Sequence, residues 1–300
     1  MRIALTGATG FVGGHLLDRL LEAGHSVKAL TRRPQPDRPG VEWVSGDLAN
    51  ATALAALVAG AEAVIHVAGV LNAPDAAGFE AGNVTGTQNL LAAVTSAKVG
   101  RFVHVSSLAA REPTLSLYGG SKARSEQLVA ASTLAWAIVR PPAVYGPGDR
   151  ETLDLFRMAA KGFVLLPPAG RLSLIHVDDL ARLLVALVDP AALSGLTIEP
   201  DDGSTGYSHT EFAHLLGTAV GRKVIPISTP RPLLALAARA DRLFRGRHAK
   251  LTADRVAYFC HPDWVADPDR APPFGLWKPR IDTAEGLADT AAWYRAAGWL

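Results

Sequence analysis

The chain opens with a short apolar strand, Arg2-Ile3-Ala4-Leu5-Thr6, that runs directly into Gly7-Ala8-Thr9-Gly10-Phe11-Val12-Gly13. Three glycines thus stand three apart, and a helical pattern starts at the third. Few folds accommodate so tight a passage from strand to helix. Gly7 permits the turn, Gly10 lets the backbone approach a pyrophosphate, and Gly13 lets the new helix pack closely against the strand. The helix N-terminus then aims free N–H groups and a partial positive charge at the phosphates. Thr6, Gly7, Thr9, Gly10, Phe11, Val12 and Gly13 are therefore candidate contacts of a dinucleotide. Turns also collect glycines, so it is the place of the triplet between strand and helix that gives it meaning.

Alternation continues beyond the triplet. A helix is expected from Gly13 to about Ala23, closed by Gly24 as a C-terminal cap. Strands are expected at residues 27–31, 41–45, 63–67, 101–105 and 135–139, with helices at 51–59, 83–98 and 117–131. Strands alternating with helices imply βαβ units and a parallel sheet covered on both faces. The fold class is α/β, a Rossmann-type doubly wound sheet over residues 1–200. After residue 200 prolines, arginines and aromatics accumulate, so residues 201–300 are expected to form a smaller, mostly helical substrate lobe. Residues 150–171 are expected to reach from the sheet toward it.

Length and charge exclude other classes. The chain has 300 residues, 49% hydrophobic and 19% charged, which describes a well-buried globular protein. A net charge of +2 supplies no global attraction to nucleic acid. The single cysteine, Cys260, excludes an intramolecular disulfide and fits a reducing compartment, so a cytoplasmic protein is expected. Met1-Arg2 leads straight into the first strand, with no expected secretory leader. No apolar run approaches the ~20 residues that cross a bilayer.

The end of the second strand tells which nucleotide is expected. An acid there hydrogen-bonds the ribose 2′-hydroxyl of NAD, whereas arginine accommodates the 2′-phosphate of NADP. This chain has Thr31-Arg32-Arg33 and no acid. A guanidinium binds a phosphate with two hydrogen bonds, and a carboxylate would repel it. NADP(H) is favoured and NAD(H) stays open. Asp47-Leu48, after the third strand, suits adenine, the carboxylate accepting from the exocyclic amine and Leu48 packing on the ring.

Ser106-Ser107 follow the fifth strand, and Tyr118-Gly119-Gly120-Ser121-Lys122 begins eleven residues after Ser107. Tyrosine and lysine four apart share a helix face. A free tyrosine has a pKa of ~10, and a nearby ammonium favours its phenolate. Tyr118 is then a candidate for proton exchange with a carbonyl or carbinol oxygen. Ser107 would hold that oxygen, and Lys122 would also grip the nicotinamide ribose. The same pair occurs on many exposed helices as mere surface; the glycine loop and serine doublet distinguish it here.

With these residues the chain resembles the extended short-chain dehydrogenases/reductases, the NAD-dependent epimerase/dehydratase family. The likeness covers roughly residues 1–200, through the glycine loop, Gly46-Asp47-Leu48, His66-Val67-Ala68-Gly69, Asn83-Val84-Thr85-Gly86-Thr87 and Val105-Ser106-Ser107. It continues through Tyr118 to Lys122, Arg140-Pro141-Pro142-Ala143-Val144-Tyr145-Gly146-Pro147-Gly148 and His176-Val177-Asp178-Asp179-Leu180. The resemblance implies hydride transfer at a nicotinamide with Ser107, Tyr118 and Lys122 as the catalytic triad. It implies that Val67, Ala68 and Gly69 pass close to the cofactor and that Pro141 and Val144 line its nicotinamide side. His176 and Asp178 usually have structural roles in this family, whose members often form homodimers. Arg32 and the short segment between Ser107 and Tyr118 are more like its NADPH-dependent ketone reductases than its sugar-nucleotide epimerases.

Three functions are carried forward. The first is NADP(H)-dependent reduction of an apolar ketone, such as a steroid, a flavonoid-like compound or a keto-lipid such as 3-oxo-ceramide. The second is a sugar-nucleotide epimerase or dehydratase with tightly held NAD, for which Arg171 and Arg222 are candidate diphosphate anchors. The third is a non-catalytic nucleotide-binding subunit. Residues 232–250 alternate leucines with arginines helically and continue to Arg247, His248 and Lys250. Such a stretch either lies on an anionic membrane surface or packs its apolar stripe on its own core.

Overall fold

A computed structural model describes residues 1–189, 193–246, 249 and 251–300. In chain order the elements begin with β1 (Arg2–Thr6), α1 (Phe11–Glu22), β2 (Ser26–Thr31), β3 (Val41–Ser45), α2 (Ala51–Val58) and β4 (Ala63–His66). Next come α3 (Ala76–Phe79), α4 (Gly86–Ser96), β5 (Arg101–Val105), α5 (Leu117–Ala130), β6 (Trp136–Val139) and β7 (Ala143–Tyr145). They are followed by α6 (Leu153–Ala160), β8 (Phe163–Leu166), β9 (Arg171–Leu172), β10 (Leu174–His176), α7 (Val177–Ala186) and β11 (Leu196–Ile198). The chain closes with β12 (Tyr207–Ser208), α8 (His209–Val220), β13 (Ile225–Ser228), α9 (Arg231–Arg245), α10 (Ala253–Phe259), β14 (Asp263–Trp264) and α11 (Thr283–Ala296).

Seven strands form one sheet in the order β11-β6-β5-β4-β1-β2-β3, every pair parallel. The chain moves outward from β1 to β3, returns to β4 on the other side, and moves outward again. The order thus reverses between β1 and β4, where a doubly wound sheet presents its ligand crevice beyond the carboxyl ends of the strands. Both strands are fully buried except Arg2, as expected for a sheet covered on two faces. One core on this sheet joins Ala4, Leu30, Val64, Phe102 and Ile138 to Leu54, Leu57, Leu90 and Val94 of the helices.

The strand and helix expectations hold within one or two residues, with two exceptions. Residues 83–98 were expected as one helix, but Glu80–Thr85 is wound as a π-helix that feeds α4. Asn83 accounts for the widened turn: its side chain binds both backbone groups of Val70, across a loop. The seventh strand, β11, was missed because three residues carry no readable period.

The chain divides into two compact units. The first comprises Met1–Pro141, Leu180–Glu199 and Pro272–Lys278; the second comprises Pro142–Asp179, Pro200–Ala271 and Pro279–Leu300. The expected boundary at residue 200 is therefore corrected: 142–179 belong with the second unit. The reason is packing, since Tyr145, Phe156, Val164 and Leu174 share a core with Phe212, Leu216, Leu287 and Tyr294. This unit also contains small sheets, β10-β7, β12-β9-β14 and β13-β8. Within it Asp179 Oδ2 accepts from the Arg280 and Ile281 N–H groups at 3.0 Å each. His176 accepts from the Asp178 N–H and packs edge-on against Tyr145.

Candidate active site

The loop after β1 is shaped by contacts that exclude side chains. Gly7 has φ +78°, and a Cβ on it would lie 2.7 Å from the Ala68 nitrogen, on the loop after β4. A Cβ on Gly13 would lie 1.9 Å from the Gly7 carbonyl oxygen. Gly10 caps α1 without a side chain, and no acid stands in the first turn. Thr9 and Gly10 are exposed and Phe11 and Val12 half-buried, so backbone N–H groups face an accessible, electropositive helix end. Gly69 adds a second open approach: a Cβ there would lie 3.7 Å from Lys122 Nζ and 3.2 Å from Asn83 Oδ1. These cradles fit a dinucleotide.

Thr6 fits that role less well, because its side chain is fully buried. Its hydroxyl accepts from the Ala68 N–H at 3.2 Å and lies 2.7 Å from His66 Nδ1. Thr87 donates to the Asn83 carbonyl and so receives His66 Nε2–H at 3.0 Å. His66 is thus the Nε2–H tautomer, neutral, and burial beside Lys122 pushes its pKa down to about 3. Thr6 aligns the two strands whose loops form the crevice, through side chains that offer a ligand nothing.

Arg32 and Arg33 are both exposed beyond β2. The Thr31 hydroxyl sets their turn, donating to the Arg33 carbonyl at 2.7 Å and accepting from its N–H at 3.3 Å. Asp47 is exposed, with Oδ1 accepting from the Ala49 N–H at 2.9 Å; the half-buried Leu48 packs on the core beside Gly86.

The candidate catalytic side chains are brought together by glycine and serine. Ser107 lies two residues beyond β5, and its Oγ accepts from the Ala109 N–H at 3.2 Å, opening a short 3-10 turn over Leu108–Arg111. Ser116 caps α5 by accepting from the Gly119 N–H at 2.9 Å. A Cβ on Gly119 would lie 2.5 Å from the Ala109 carbonyl oxygen, and one on Gly120 would lie 2.8 Å from that of Pro113. The two glycines therefore let the first turn of α5 settle on the serine segment. Tyr118 is half-buried there and shares a hydrogen bond with Ser107. Burial pushes the phenol above its usual range, against the pull of that hydrogen bond.

One turn on, Lys122 is buried, with Nζ donating to the Val105 carbonyl at 2.8 Å. Burial pulls its pKa down to about 8, and Glu126 opposes the shift. Pro141 is buried in the same unit, and its carbonyl accepts from the Leu108 N–H at 3.1 Å, which fixes the segment after Ser107. Val144 lies in β7, within the second unit. Arg171, a candidate diphosphate anchor, instead donates to the Thr205 and Gly206 carbonyls.

Sequence reasoning missed the charged support of this site. Arg140, just after β6, grips Glu126 with two hydrogen bonds of 2.9 and 2.6 Å and reaches Glu199 at 3.2 Å. Arg111, in the serine segment, reaches the other Glu199 oxygen at 3.4 Å. Glu199 is sealed from solvent, and this shared arrangement pairs its buried charge with two arginines. It ties the serine segment, α5, β6 and β11 together. His104 stacks on His66 at 5.3 Å and donates to Ser125 on α5 at 3.0 Å. Burial and Lys122 push it well below the usual histidine range. An arginine after a strand and a glutamate some sixty residues on carried no spacing that could have announced the pair.

Residues 3–195 match the NAD dependent epimerase/dehydratase family. Over its length the chain is similar to a ceramide reductase of Caulobacter vibrioides, 40% identical over 308 residues that cover 99% of this chain and 96% of that protein. It is 31% identical to a 2-alkyl-3-oxoalkanoate reductase of Stenotrophomonas maltophilia, covering 96% of this chain and 97% of that one. Among solved structures it resembles WbmG of Bordetella bronchiseptica, in complex with NAD and UDP. That likeness has a TM-score of 0.77 at 20% identity and covers 100% of this chain and 96% of the other. It extends to the fold alone.

Proposed function

The chain belongs to the NAD-dependent epimerase/dehydratase family, and we propose that within it this protein is an NADPH-dependent reductase of an apolar, ceramide-like ketone. It is an NAD(P)-dependent oxidoreductase of the short-chain type. The observation that carries the narrower reading is the end-to-end similarity to a ceramide reductase, in a chain that has Ser107, Tyr118 and Lys122. Two features of the site support it. Arg32 and Arg33 stand where a carboxylate would select NAD. The Tyr118 phenol, pushed up by burial, stays protonated across the neutral range and so acts as an acid, the form a ketone reduction requires.

The residues divide the work as follows. The loop from Gly7 to Gly13 would hold the pyrophosphate, Arg32 and Arg33 the 2′-phosphate, Asp47 and Leu48 the adenine, and Lys122 the nicotinamide ribose. A reduced nicotinamide held there would supply hydride for the carbonyl carbon. Ser107 donates a hydrogen bond to the ketone oxygen and keeps it within reach of Tyr118. As charge grows on that oxygen, the Tyr118 phenol transfers its proton, which leaves a secondary alcohol and a tyrosinate. The Lys122 ammonium lowers the cost of that tyrosinate, and solvent restores its proton.

The test is whether purified protein oxidises NADPH in a 1:1 ratio with alcohol formed from 3-oxo-ceramide. Mass spectrometry of the protein as isolated accompanies it. Ketone-dependent oxidation of NADPH, faster than of NADH, supports the reading. Tightly retained NAD with no ketone-dependent turnover would replace it with a sugar-nucleotide epimerase or dehydratase.

A further inference from the structure

Helix α9 wears its apolar face outward. Leu233, Leu236, Ala237, Ala240, Leu243 and Phe244 recur at three- and four-residue spacing, so they share one stripe of the helix, and all six are exposed. Leu243 is 82% and Phe244 85% exposed. Ala238 is the one buried residue of the helix, with Leu234 and Ala235 half-buried beside it. A surface helix of a globular protein turns its apolar stripe to the core, and of the two readings the sequence allowed for this stretch, that one does not describe α9. Single exposed leucines are ordinary, but a continuous stripe ending in an exposed phenylalanine marks a contact surface.

The strand that leads into the helix extends the feature. Ile225 and Ile227 of β13 are exposed, and Leu165, the partner of Ile227 across the β13–β8 pair, is exposed with them. Only Thr229 and Pro230 separate β13 from α9.

The charge around these residues says what would cover them. Between residues 221 and 246 the sequence carries Arg222, Lys223, Arg231, Arg239, Arg242 and Arg245 against a single acid, Asp241. All six cations are exposed, and Asp241 is engaged by Arg245 at 3.3 Å and by the Leu251 N–H. Arginine keeps its head in a polar layer while its stem lies along apolar surface. Leucine and phenylalanine on one face with arginine around the rest is the composition of a helix that rests in the plane of a bilayer. The residues Arg247, His248 and Lys250, which would lengthen the basic run, lie outside the described residues.

We propose that α9, with the exposed face of β13, docks this protein on the surface of an anionic lipid bilayer. The apolar stripe enters the boundary between headgroups and acyl chains, and the arginines meet anionic headgroups. Among the described residues no helix is long and apolar enough to cross a membrane, so the attachment is peripheral and reversible. The inference stands apart from the reaction assigned above, although it would bring the enzyme to the phase in which an apolar keto-lipid dissolves.

Co-sedimentation of the full chain with vesicles tests it, comparing phosphatidylcholine alone with phosphatidylcholine containing phosphatidylglycerol. The protein is expected to pellet with the anionic vesicles, weakly with the neutral ones, and less at high salt. Because Leu243 and Phe244 are exposed, the double variant Leu243→Ser/Phe244→Ser keeps its thermal unfolding midpoint and loses vesicle binding. Arg239→Gln/Arg242→Gln also stays folded and partitions roughly thirtyfold less. Failure of the wild-type chain to pellet with anionic vesicles, or equal pelleting by the serine variant, overturns the proposal. So does light scattering that finds a dimer which the serine variant dissolves, since a second copy would then own the face.

Discussion

Gly13 and Gly14 are adjacent on α1, yet the structure assigns them opposite responses to one added methyl group. A Cβ on Gly13 falls 1.9 Å from the Gly7 oxygen and 2.6 Å from its carbonyl carbon, whereas real Cβ contacts do not fall under 3.0 Å. The Gly7 carbonyl must therefore retreat by 1.1 Å (3.0 − 1.9), and because it is backbone the whole turn moves with it. Such overpacking costs about 1–3 kcal/mol of stability. The loop that should cradle the pyrophosphate is displaced by the same distance. Losing one hydrogen bond to a charged group, about 1.5–3 kcal/mol, weakens NADPH by roughly tenfold to a hundredfold. On Gly14 the nearest atom to the new Cβ is the Ala8 oxygen at 3.9 Å, an ordinary contact. Gly14→Ala should therefore stabilise the helix by about 0.5–1 kcal/mol and leave NADPH affinity within about twofold. Thermal unfolding and fluorescence titration with NADPH read both quantities. If Gly13→Ala matched Gly14→Ala in midpoint and affinity, the close approach of α1 to the turn would not be what forms the site.

Further outcomes are expected. Arg32→Ala weakens NADPH by roughly tenfold and NADH little, because only the 2′-phosphate loses a charged partner; equal loss of both would move the phosphate contact elsewhere. The ketone-reduction rate falls as pH rises through about 8, where the buried Lys122 ammonium gives up its proton. Since Glu126 opposes that shift, Glu126→Gln moves the break to lower pH, and a pH–rate profile with an unmoved break contradicts the assignment. His66 and His104 are held neutral, His66 down to about 3, whereas an unfolded histidine binds a proton below about 6.5. The unfolded state then binds more protons, so stability falls as pH drops from about 6.5 toward 3, by at most about 1.4 kcal/mol per pH unit for each group. Urea unfolding at a series of pH values measures the slope, and His66→Gln should flatten it.

What the sequence disclosed followed from local chemistry. Gly7 and Gly13 could be placed because a strand–turn–helix passage leaves its mark within a dozen residues, and Tyr118 with Lys122 because a helix turns that spacing into one face. Arg32 could be placed at the exposed end of β2 because the second strand is legible from its own residues. What stayed hidden was set by distant packing. Thr6 reads as a dinucleotide contact until the pairing of β1 with β4 places His66 beside it. Glu199 means nothing until β11 joins β6 and meets Arg140. The share of residues 142–179 in the second unit comes from their core with α8 and α11, which no composition shift at residue 200 could disclose. The upward push on the Tyr118 phenol comes from burial, which outweighs the Ser107 hydrogen bond and which helix spacing alone does not reveal.

The central claim is that Tyr118 delivers the proton, with Ser107 and Lys122 holding it in place to do so. Single-turnover reduction of 3-oxo-ceramide by NADPH, compared between the wild-type protein and Tyr118→Phe, addresses it directly. Each protein's NADPH affinity is measured on the same preparation. The account predicts a rate about a hundredfold to ten-thousandfold lower in the variant, with NADPH bound as before, because the lost hydroxyl matters only as the alkoxide forms. A variant that reduced the ketone at an undiminished rate, or lost rate and affinity together, would contradict it.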